Sequence, residues 1–326
     1  MSDIESRVKK KINTLTGEQR EIIERGSNII KSGGLVAIPT ETVYGLGANA
    51  LDAAAASRIY ETKGRPSDNP LILHVSSIEM TERLVDITPG ARRLMETFWP
   101  GPLSIVLTAK EIIPPRTRGG LATAAVRMPD NAFALALIEA AGLPIAAPSA
   151  NISGRPSPTD AATVWQEIGG KIPLIIDGGE TKFGVESTVL DMTGENPVLL
   201  RPGGLAKEEI EAALGRPVLL PQDQKMIKRS PGTRYRHYAP SIPLRLCAPE
   251  EAPQNAQNWA WIGTAVPNGT PAVKIIFKDD AEYAKELFRA LRSIEKSGAE
   301  IIYAQRPDEK GIGLALKDRL ARAAGA

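Results

Sequence analysis

The chain has 326 residues, which exceeds the roughly 100 to 200 residues of a usual domain, so we expect one large domain and a smaller one. A net charge of +2, from 40 basic and 38 acidic residues, excludes a protein that coats nucleic acid or an anionic membrane by bulk charge. One cysteine, Cys247, excludes an internal disulfide, and two histidines, His74 and His237, leave little for a zinc centre. The polar start and the lack of a long apolar run predict a soluble, untargeted, cytoplasmic protein.

Helices alternate with short apolar strands over the first two thirds of the chain. Thr16, followed three residues later by Gln19, predicts a capping box that opens a helix over residues 18–31. The same patterns predict further helices at 51–62, 91–99, 132–142, 160–170 and 206–215, and strands at 35–39, 71–75, 103–109, 123–128, 145–148, 174–179, 187–192 and 197–203. Isolated and consecutive strands mixed with helices predict an α/β fold with a mixed, twisted sheet.

The composition changes after Gly215. The next residues are rich in proline and lack apolar periodicity, so we interpret them as a long linker. Between Gln222 and Ser241 the linker holds five cations against Asp223 alone, a local charge of +4 (5 minus 1); the cations are Lys225, Lys228, Arg229, Arg234 and Arg236. Beyond it, strands at 244–248, 259–263, 273–277 and 300–305, with helices at 281–298 and 313–324, predict a small Rossmann-like α/β domain.

The stretch "PTETVYGLGANA" follows the first strand. Gly45 and Gly47 satisfy a loose G-x-G-x-x-A dinucleotide pattern, but five residues separate them from the strand and no acidic residue ends the next one. A nicotinamide oxidoreductase is therefore a weak alternative, and a tight turn with close helix packing accounts for the glycines. Thr40, Thr42 and Tyr44 are more informative, because open sheets place ligand contacts at strand ends.

Four cations lie at the ends of predicted strands, namely Lys63, Arg65, Arg127 and Arg201. Taken alone, Lys63 and Arg65 suit a solvated turn. A core cannot bury four unpaired cations, however, so the set indicates a polyanionic or carboxylate ligand. No G-x-x-x-x-G-K-[ST] pattern occurs, so a nucleotide would not be held by a P-loop.

Polar side chains surround the same strand ends. His74 lies in an apolar strand, where a histidine is more often a core residue than a ligand. The loop "PSANISGRPSPT" supplies hydroxyls and an amide directly after a buried strand, which suits both helix capping and small-molecule binding. In the linker, "SPGTRYRHYAP" interleaves arginine with tyrosine and histidine, which is typical of an RNA-stacking segment and equally of a lid over phosphates.

Eight motifs then carry a family resemblance: "IPTETVYGLGANA", "KGRPSDNPL", "WPGPLSIVL", "VRMPD", "APSANISG", "ESTVLD", "RPGG" and "SPGTRYRHYAP". In this order they resemble the threonylcarbamoyl-AMP synthases, a YrdC-like family, in its two-domain form. The resemblance implies a YrdC-like catalytic domain at 1–220, a basic linker or lid at 221–242 and a Rossmann-like C-terminal domain at 243–326. It also implies that L-threonine, bicarbonate and ATP give threonylcarbamoyl-AMP and pyrophosphate, for N6-threonylcarbamoyladenosine (t6A) at position 37 of tRNA.

The resemblance assigns roles to individual residues. Implied contacts to threonine are Thr42, His74, Arg127, Ser187 and, through its backbone, Ala147. Implied contacts to ATP are Lys63, Arg65, Asn69, Thr123, Ser149, Asn151, Ser157, Arg201, Tyr235 and Tyr238, with Lys63 and Arg65 catalytic. Adenylyl transfer needs fixed cations rather than a covalent nucleophile, which agrees with the scarcity of histidine and cysteine.

The resemblance further implies Mg²⁺ with ATP, no organic cofactor, and a downstream threonylcarbamoyl-transferase complex that modifies tRNA. The balanced charge gives no sign of direct tRNA binding, and no membrane association is expected. Without the resemblance, the residues leave two further functions open. One is an RNA-binding module; the other is a carbamoyl-transfer enzyme, which normally carries zinc-finger and acylphosphatase-like segments that are missing from this sequence.

Overall fold

The computed structural model describes residues 3–223, 226, 237–254 and 257–325. Its helices are α1 (Asp3–Ile12), α2 (Gly17–Lys31), α3 (Ala53–Lys63), α4 (Ile78–Leu84), α5 (Pro89–Phe98), α6 (Ala132–Ala141), α7 (Ala161–Ile168), α8 (Lys207–Leu214), α9 (Asp280–Glu295) and α10 (Ile312–Ala324). Tyr235 and all five linker cations lie outside the described residues.

Thirteen strands form two sheets within the described part of the chain. They are β1 (Val36–Ile38), β2 (Gly45–Asn49), β3 (Ile72–His74), β4 (Leu103–Thr108), β5 (Thr123–Arg127), β6 (Ile145–Ala146), β7 (Leu174–Ile175), β8 (Thr188–Asp191), β9 (Val198–Arg201), β10 (Leu244–Cys247), β11 (Trp259–Gly263), β12 (Val273–Ile276) and β13 (Ile301–Gln305). We call residues 3–219, built on the first sheet, the N-terminal domain, and residues 244–325 the C-terminal domain.

The first sheet has nine strands in the order β7-β1-β2-β6-β3-β5-β4-β8-β9. Three strand pairs are parallel (β1/β7, β3/β5 and β4/β8) and the others are antiparallel, so the sheet is mixed as predicted. The register places His74 of β3 beside Arg127 of β5. Topology thus brings two polar side chains together from segments about fifty residues apart in the chain.

Helix α2 shows how the N-terminal domain covers its sheet. Thr16 Oγ1 accepts a hydrogen bond from the Gln19 amide, and Gln19 Oε1 accepts one from the Thr16 amide, so the predicted capping box is confirmed. Ile23 and Ile30 are buried on the same face of the helix, about two turns apart. This face joins the core cluster that includes Leu137 of α6. The helix therefore packs its apolar face against α6 and the sheet, with its charged face outward.

The second sheet has the order β10-β13-β11-β12, and all its strand pairs are parallel. Helix α9 provides the crossover from β12 to β13, and α10 follows the last strand. Trp259 and Trp261 are fully buried, and Cys247 is a buried free thiol. The Rossmann-like architecture expected for this part of the chain is confirmed.

The two domains contact each other through ion pairs. Arg155 of the N-terminal domain donates two hydrogen bonds to the Glu295 carboxylate of α9, each 2.8 Å long. Arg289 of α9 pairs with Glu180 at 2.8 Å in a more exposed position. No helix in the described ranges is both long and apolar enough to span a membrane.

Sequence reasoning missed three elements. Helix α1 falls in the segment taken as a polar leader, yet Ile4, Val8 and Ile12 are buried at a four-residue spacing. Helix α4 begins at an N-cap, Ser77, whose hydroxyl accepts a bond from the Met80 amide. In each case a short apolar stripe is hidden among many charged or polar residues.

The third missed element is β2, which contains both glycines of the dinucleotide-like pattern. Gly45 and Gly47 pair with Ile38 and Val36 of β1, so they form a strand rather than a phosphate-binding turn. A Cβ at Gly47 would lie 2.9 Å from Ile145 Cγ2 and 3.2 Å from the Val36 carbonyl oxygen. Close approach of neighbouring strands, not a turn against a helix, explains this glycine, and the expectation of a tight turn was wrong.

We predict that Gly47→Ala lowers the free energy of unfolding by about 1–3 kcal/mol, because the added methyl group overpacks the strand interface. Gly194→Ala is the control, since a Cβ there meets no atom within 4 Å; it should change stability by less than about 0.5 kcal/mol. Urea unfolding followed by circular dichroism measures both. Equal stability of the two variants would contradict the strand-packing explanation.

Candidate active site

A cavity of about 620 Å³, including its open mouth, lies where several strands of the first sheet begin or end. Eleven of the residues to which the resemblance assigns contacts line it: Thr42, Arg65, His74, Arg127, Ala147, Ser149, Asn151, Ser157, Ser187, Arg201 and Tyr238. The sheet order places the segments that carry them side by side, although they are far apart in the sequence.

Arg127, at the end of β5, is nearly fully buried at the cavity wall. Its Nη2 lies 2.7 Å from Glu41 Oε2, and its Nε donates to the Gly101 carbonyl oxygen. Glu41 is equally buried, and sequence reasoning missed it, although it directly precedes Thr42. The guanidinium therefore meets an internal carboxylate, and a ligand carboxylate must share the arginine with it.

Arg201, at the end of β9, holds the segment before β8 in place. Its Nη2 donates to the carbonyl oxygen and to the hydroxyl of Ser187, at 2.8 and 3.2 Å. The Ser187 hydroxyl in turn lies 2.8 Å from that of Ser104. Gly203 allows this approach, because a Cβ there would lie 2.2 Å from the Thr188 amide nitrogen.

Arg65 follows α3, where Gly64 ends the helix in a left-handed conformation. Its Nη2 donates to the Pro70 carbonyl oxygen at 3.0 Å, so the turn that contains Asn69 and Pro70 holds it. Burial lowers the pKa of Arg65 to about 10, which leaves it positively charged at neutral pH.

Lys63 does not line the cavity. Its ammonium donates to the carbonyl oxygens of Ser149 and Asn151, behind the loop whose side chains do line it. Burial, and then the charge of Arg65, hold the pKa of Lys63 well below its usual value. Lys63 thus supports the loop from behind, and its expected role toward ATP stays a prediction.

Two other predicted ATP contacts also lie off the cavity wall. Asn69 is fully buried, and its carbonyl oxygen accepts bonds from Tyr60 and Arg65. Thr123 opens β5, four residues before Arg127, which corresponds to about 13 Å along a strand. Their roles toward ATP stay predictions, as does that of Tyr235, which falls outside the described residues.

Both histidines lie at the cavity and are neutral. Burial, and then the charge of Arg127, lower the pKa of His74 to about 3. Burial, and then the charge of Arg65, lower the pKa of His237 to about 3. His74 is therefore not a simple core residue, since its imidazole lines the cavity among cations.

The described end of the linker reaches the cavity through His237 and Tyr238. Tyr238 has a φ of 66°, in the left-handed region that is uncommon for residues other than glycine. Its ring stacks on Phe288 of α9, with centroids 5.3 Å apart. The C-terminal domain therefore holds this part of the linker against the cavity.

Sequence reasoning also missed Glu186, an acidic residue in the cavity wall. It precedes Ser187 in the motif "ESTVLD", and this position was the only signal available from the sequence. Its carboxylate accepts bonds from Ser157 Oγ and from Arg319 Nε of α10, both 2.6 Å long. One wall of the cavity thus depends on a residue of the C-terminal domain.

Two family models match the chain. The model Sua5_yciO_yrdC, described as "Telomere recombination", matches residues 28–203. The model Sua5_C, described as "Threonylcarbamoyl-AMP synthase, C-terminal domain", matches residues 205–325. Together they span both sheets.

Curated relatives and solved structures agree with these matches. The chain is 47% identical to a threonylcarbamoyl-AMP synthase of Pyrococcus abyssi and 45% identical to one of Bacillus subtilis, over 93% of this chain and 94% and 93% of theirs. The crystal structure of P. abyssi Sua5 complexed with L-threonine matches with a TM-score of 0.86 and 46% identity, over 93% of this chain and 94% of that one. E. coli YciO matches 56% of this chain and 90% of its own, at 27% identity and a TM-score of 0.52.

We predict that acid destabilises the protein through His74. Its pKa is about 3 when folded and 6.5 in its ordinary state, so the unfolded chain binds the extra proton between these values. Stability from this residue is complete above pH 6.5 and falls as the pH drops toward 3. Between pH 8 and pH 5 the loss is about 2 kcal/mol.

His74→Gln removes this titration. The difference in unfolding free energy between pH 8 and pH 5, measured by urea denaturation, should be smaller in the variant by about 2 kcal/mol. An identical pH dependence in the two proteins would show that His74 is not held neutral.

Proposed function

Because the chain belongs to the threonylcarbamoyl-AMP synthase family, we propose that its cavity converts L-threonine, bicarbonate and ATP into threonylcarbamoyl-AMP and pyrophosphate. The observation that carries this assignment is the convergence of three buried arginines, Arg65, Arg127 and Arg201, on one cavity. The substrates supply a carboxylate and a triphosphate, which are the ligands that such arginines prefer.

We assign the threonine side of the cavity to the neighbourhood of Arg127. Its guanidinium would bind the amino-acid carboxylate, while Thr42 and Ser187 offer hydroxyls for the remaining polar groups. The neutral imidazole of His74 and the backbone at Ala147 complete this side. A Cβ on Gly45 would lie 3.1 Å from Ala147 Cβ, so the wall has little room for a side chain at position 45.

We assign the nucleotide side to Arg65 and Arg201. The loop that Lys63 supports presents Ser149 and Asn151 to the cavity, and Ser157 and Tyr238 lie nearby. Lys63 would act on catalysis only by fixing this loop. This revises its expected role, because an ammonium bound to two carbonyl oxygens has less capacity to bind phosphate directly.

The chemistry begins with the carbamate, which forms when the threonine amine condenses with bicarbonate and water leaves. A carbamate oxygen attacks the α-phosphorus of ATP, an oxygen–phosphorus bond forms, and the bond to pyrophosphate breaks. Negative charge builds on the α-phosphate oxygens and on the leaving pyrophosphate. Positively charged groups already fixed around the site stabilise this charge without reorganisation, and no covalent nucleophile is needed.

We propose that Mg²⁺ enters with ATP rather than residing in the protein. Among the residues that the structure describes, no group of three or more histidine, cysteine, aspartate or glutamate side chains could hold a metal ion. Mg²⁺ commonly binds nucleotide phosphates with few protein ligands, so this donor set fits a metal–ATP substrate. The ion would neutralise phosphate charge.

The remaining parts of the proposal concern the linker and the fate of the product. The sequence predicts that the basic linker closes over the nucleotide and excludes water from the labile intermediates, but its cations and Tyr235 lie outside the described residues. Its described end, at His237 and Tyr238, supports this by reaching the cavity. The adenylate would pass in the cytoplasm to a threonylcarbamoyl-transferase complex that modifies tRNA.

Pyrophosphate release tests the reaction. With ATP, L-threonine and bicarbonate together, the protein should release pyrophosphate, and omission of either threonine or bicarbonate should reduce the rate at least tenfold. The order of magnitude follows from the need for both threonine and bicarbonate to form the carbamate that attacks ATP. A rate that is independent of both co-substrates would overturn the proposed function.

Arg127→Met tests the threonine side. We expect the KM for threonine to rise about 10- to 100-fold, because a charged hydrogen bond contributes about 1.5–3 kcal/mol. The KM for ATP should change less than about threefold. Arg92→Met, which removes an exposed ion pair with Glu82, is the control and should leave both constants unchanged. An unchanged threonine KM in Arg127→Met would contradict the assignment.

A further inference from the structure

The carboxylate of Glu186 lies in the wall of a cavity that we assign to anionic substrates. Oε1 accepts a hydrogen bond from Ser157 Oγ, and Oε2 accepts one from Arg319 Nε, both at 2.6 Å. Glu186 is 7% exposed and Arg319 is 0% exposed. The pair is therefore withdrawn from water, and each charge depends on the other for compensation.

The negative charge of Glu186 acts on both the neighbouring cations and the anionic substrates. Burial alone would raise the pKa of Glu186, but the charges of Arg319 and Arg201 and the bond from Ser157 outweigh burial and lower the pKa. Glu186 therefore carries a negative charge beside Arg201 and Ser157, two residues assigned to ATP. Without a second cation, this carboxylate would attract Arg201 and repel the phosphates.

Arg319 is fixed at this place by several contacts. Its Nη1 donates to Asp318 of the same helix, and its Nη2 donates to the Pro202 carbonyl oxygen at 3.1 Å, directly after Arg201. Its guanidinium lies 5.2 Å from the centroid of the Tyr238 ring. It thus touches Glu186, the β9 end and the linker, three parts of the cavity wall.

We propose that Arg319 is a positioning residue for adenylyl transfer: from the C-terminal domain it neutralises Glu186, so that Arg201 and Ser157 are held for the nucleotide. The inference rests on the proposed function. It gives the C-terminal domain a direct task, because the nucleotide side of the cavity is electrostatically complete only when α10 is docked. A cation that merely held the two domains together would have no such effect on ATP.

Other ion pairs between the domains provide the contrast. Arg289 pairs with Glu180 at 2.8 Å in an exposed position, and neither residue lines the cavity. Loss of this pair weakens the contact between the domains without changing the charge beside the nucleotide. A docking role and a positioning role for Arg319 therefore predict different kinetics.

The experiment compares steady-state pyrophosphate release in full-length variants. Arg319→Met should raise the KM for ATP at least tenfold while the KM for threonine changes less than threefold. Removal of the unmatched charge in the double variant Arg319→Met/Glu186→Gln should recover most of the ATP affinity, and Arg319→Lys should retain part of it. Arg289→Met should stay within twofold of the wild-type protein in both constants.

Three results would overturn the inference. They are an unchanged ATP KM in Arg319→Met, an equal loss in Arg289→Met, or no recovery in a double variant whose thermal unfolding matches that of the wild type. If Arg319→Met alone does not fold, the ATP KM of the double variant and of Arg319→Lys tests the inference instead. ATP binding measured by calorimetry supports that comparison. A wild-type protein that releases no pyrophosphate would instead refute the proposed function.

Discussion

The structure depends on how it buries positive charge. Four buried cations lie within or directly behind the cavity wall, and α10 contributes a fifth. An isolated buried cation costs several kcal/mol, so each must be matched by protein oxygen atoms. Lys63 and Arg65 are matched by carbonyl oxygens, whereas Arg127 and Arg319 are matched by carboxylates. Much of the architecture places those oxygen atoms beside the cations.

The mixed sheet brings the segments that carry these groups together. Because β3, β5 and β6 are neighbours, a histidine, an arginine and a polar loop from distant segments meet at one edge. Glycines then allow the backbone to approach the site closely, as Gly203 does beside the segment before β8. The cavity is thus lined by side chains whose own partners are already in place, and little reorganisation is needed when charge develops during the reaction.

Much of this arrangement was predictable from the sequence, because it follows from local patterns. Strand ends with adjacent polar residues placed Arg127, Ser149 and Arg201 at the sheet edge, and the motif order indicated the family. The partners of the charges were not predictable. Glu41 opposite Arg127 and Arg319 opposite Glu186 are pairings set by tertiary packing, and the second spans 133 residues. A glutamate beside a threonine or serine in a loop carries no local signal of such a partner.

The buried pair of Glu186 and Arg319 also limits how this protein can evolve. A shortened chain that ended before α10 would expose its cavity to an unmatched carboxylate. Loss of the C-terminal domain would therefore require a compensating change, either a neutral residue at position 186 or a new cation from the remaining chain. On the proposed role of Arg319, a chain that loses α10 first passes through an impaired intermediate, whereas one that first changes residue 186 does not.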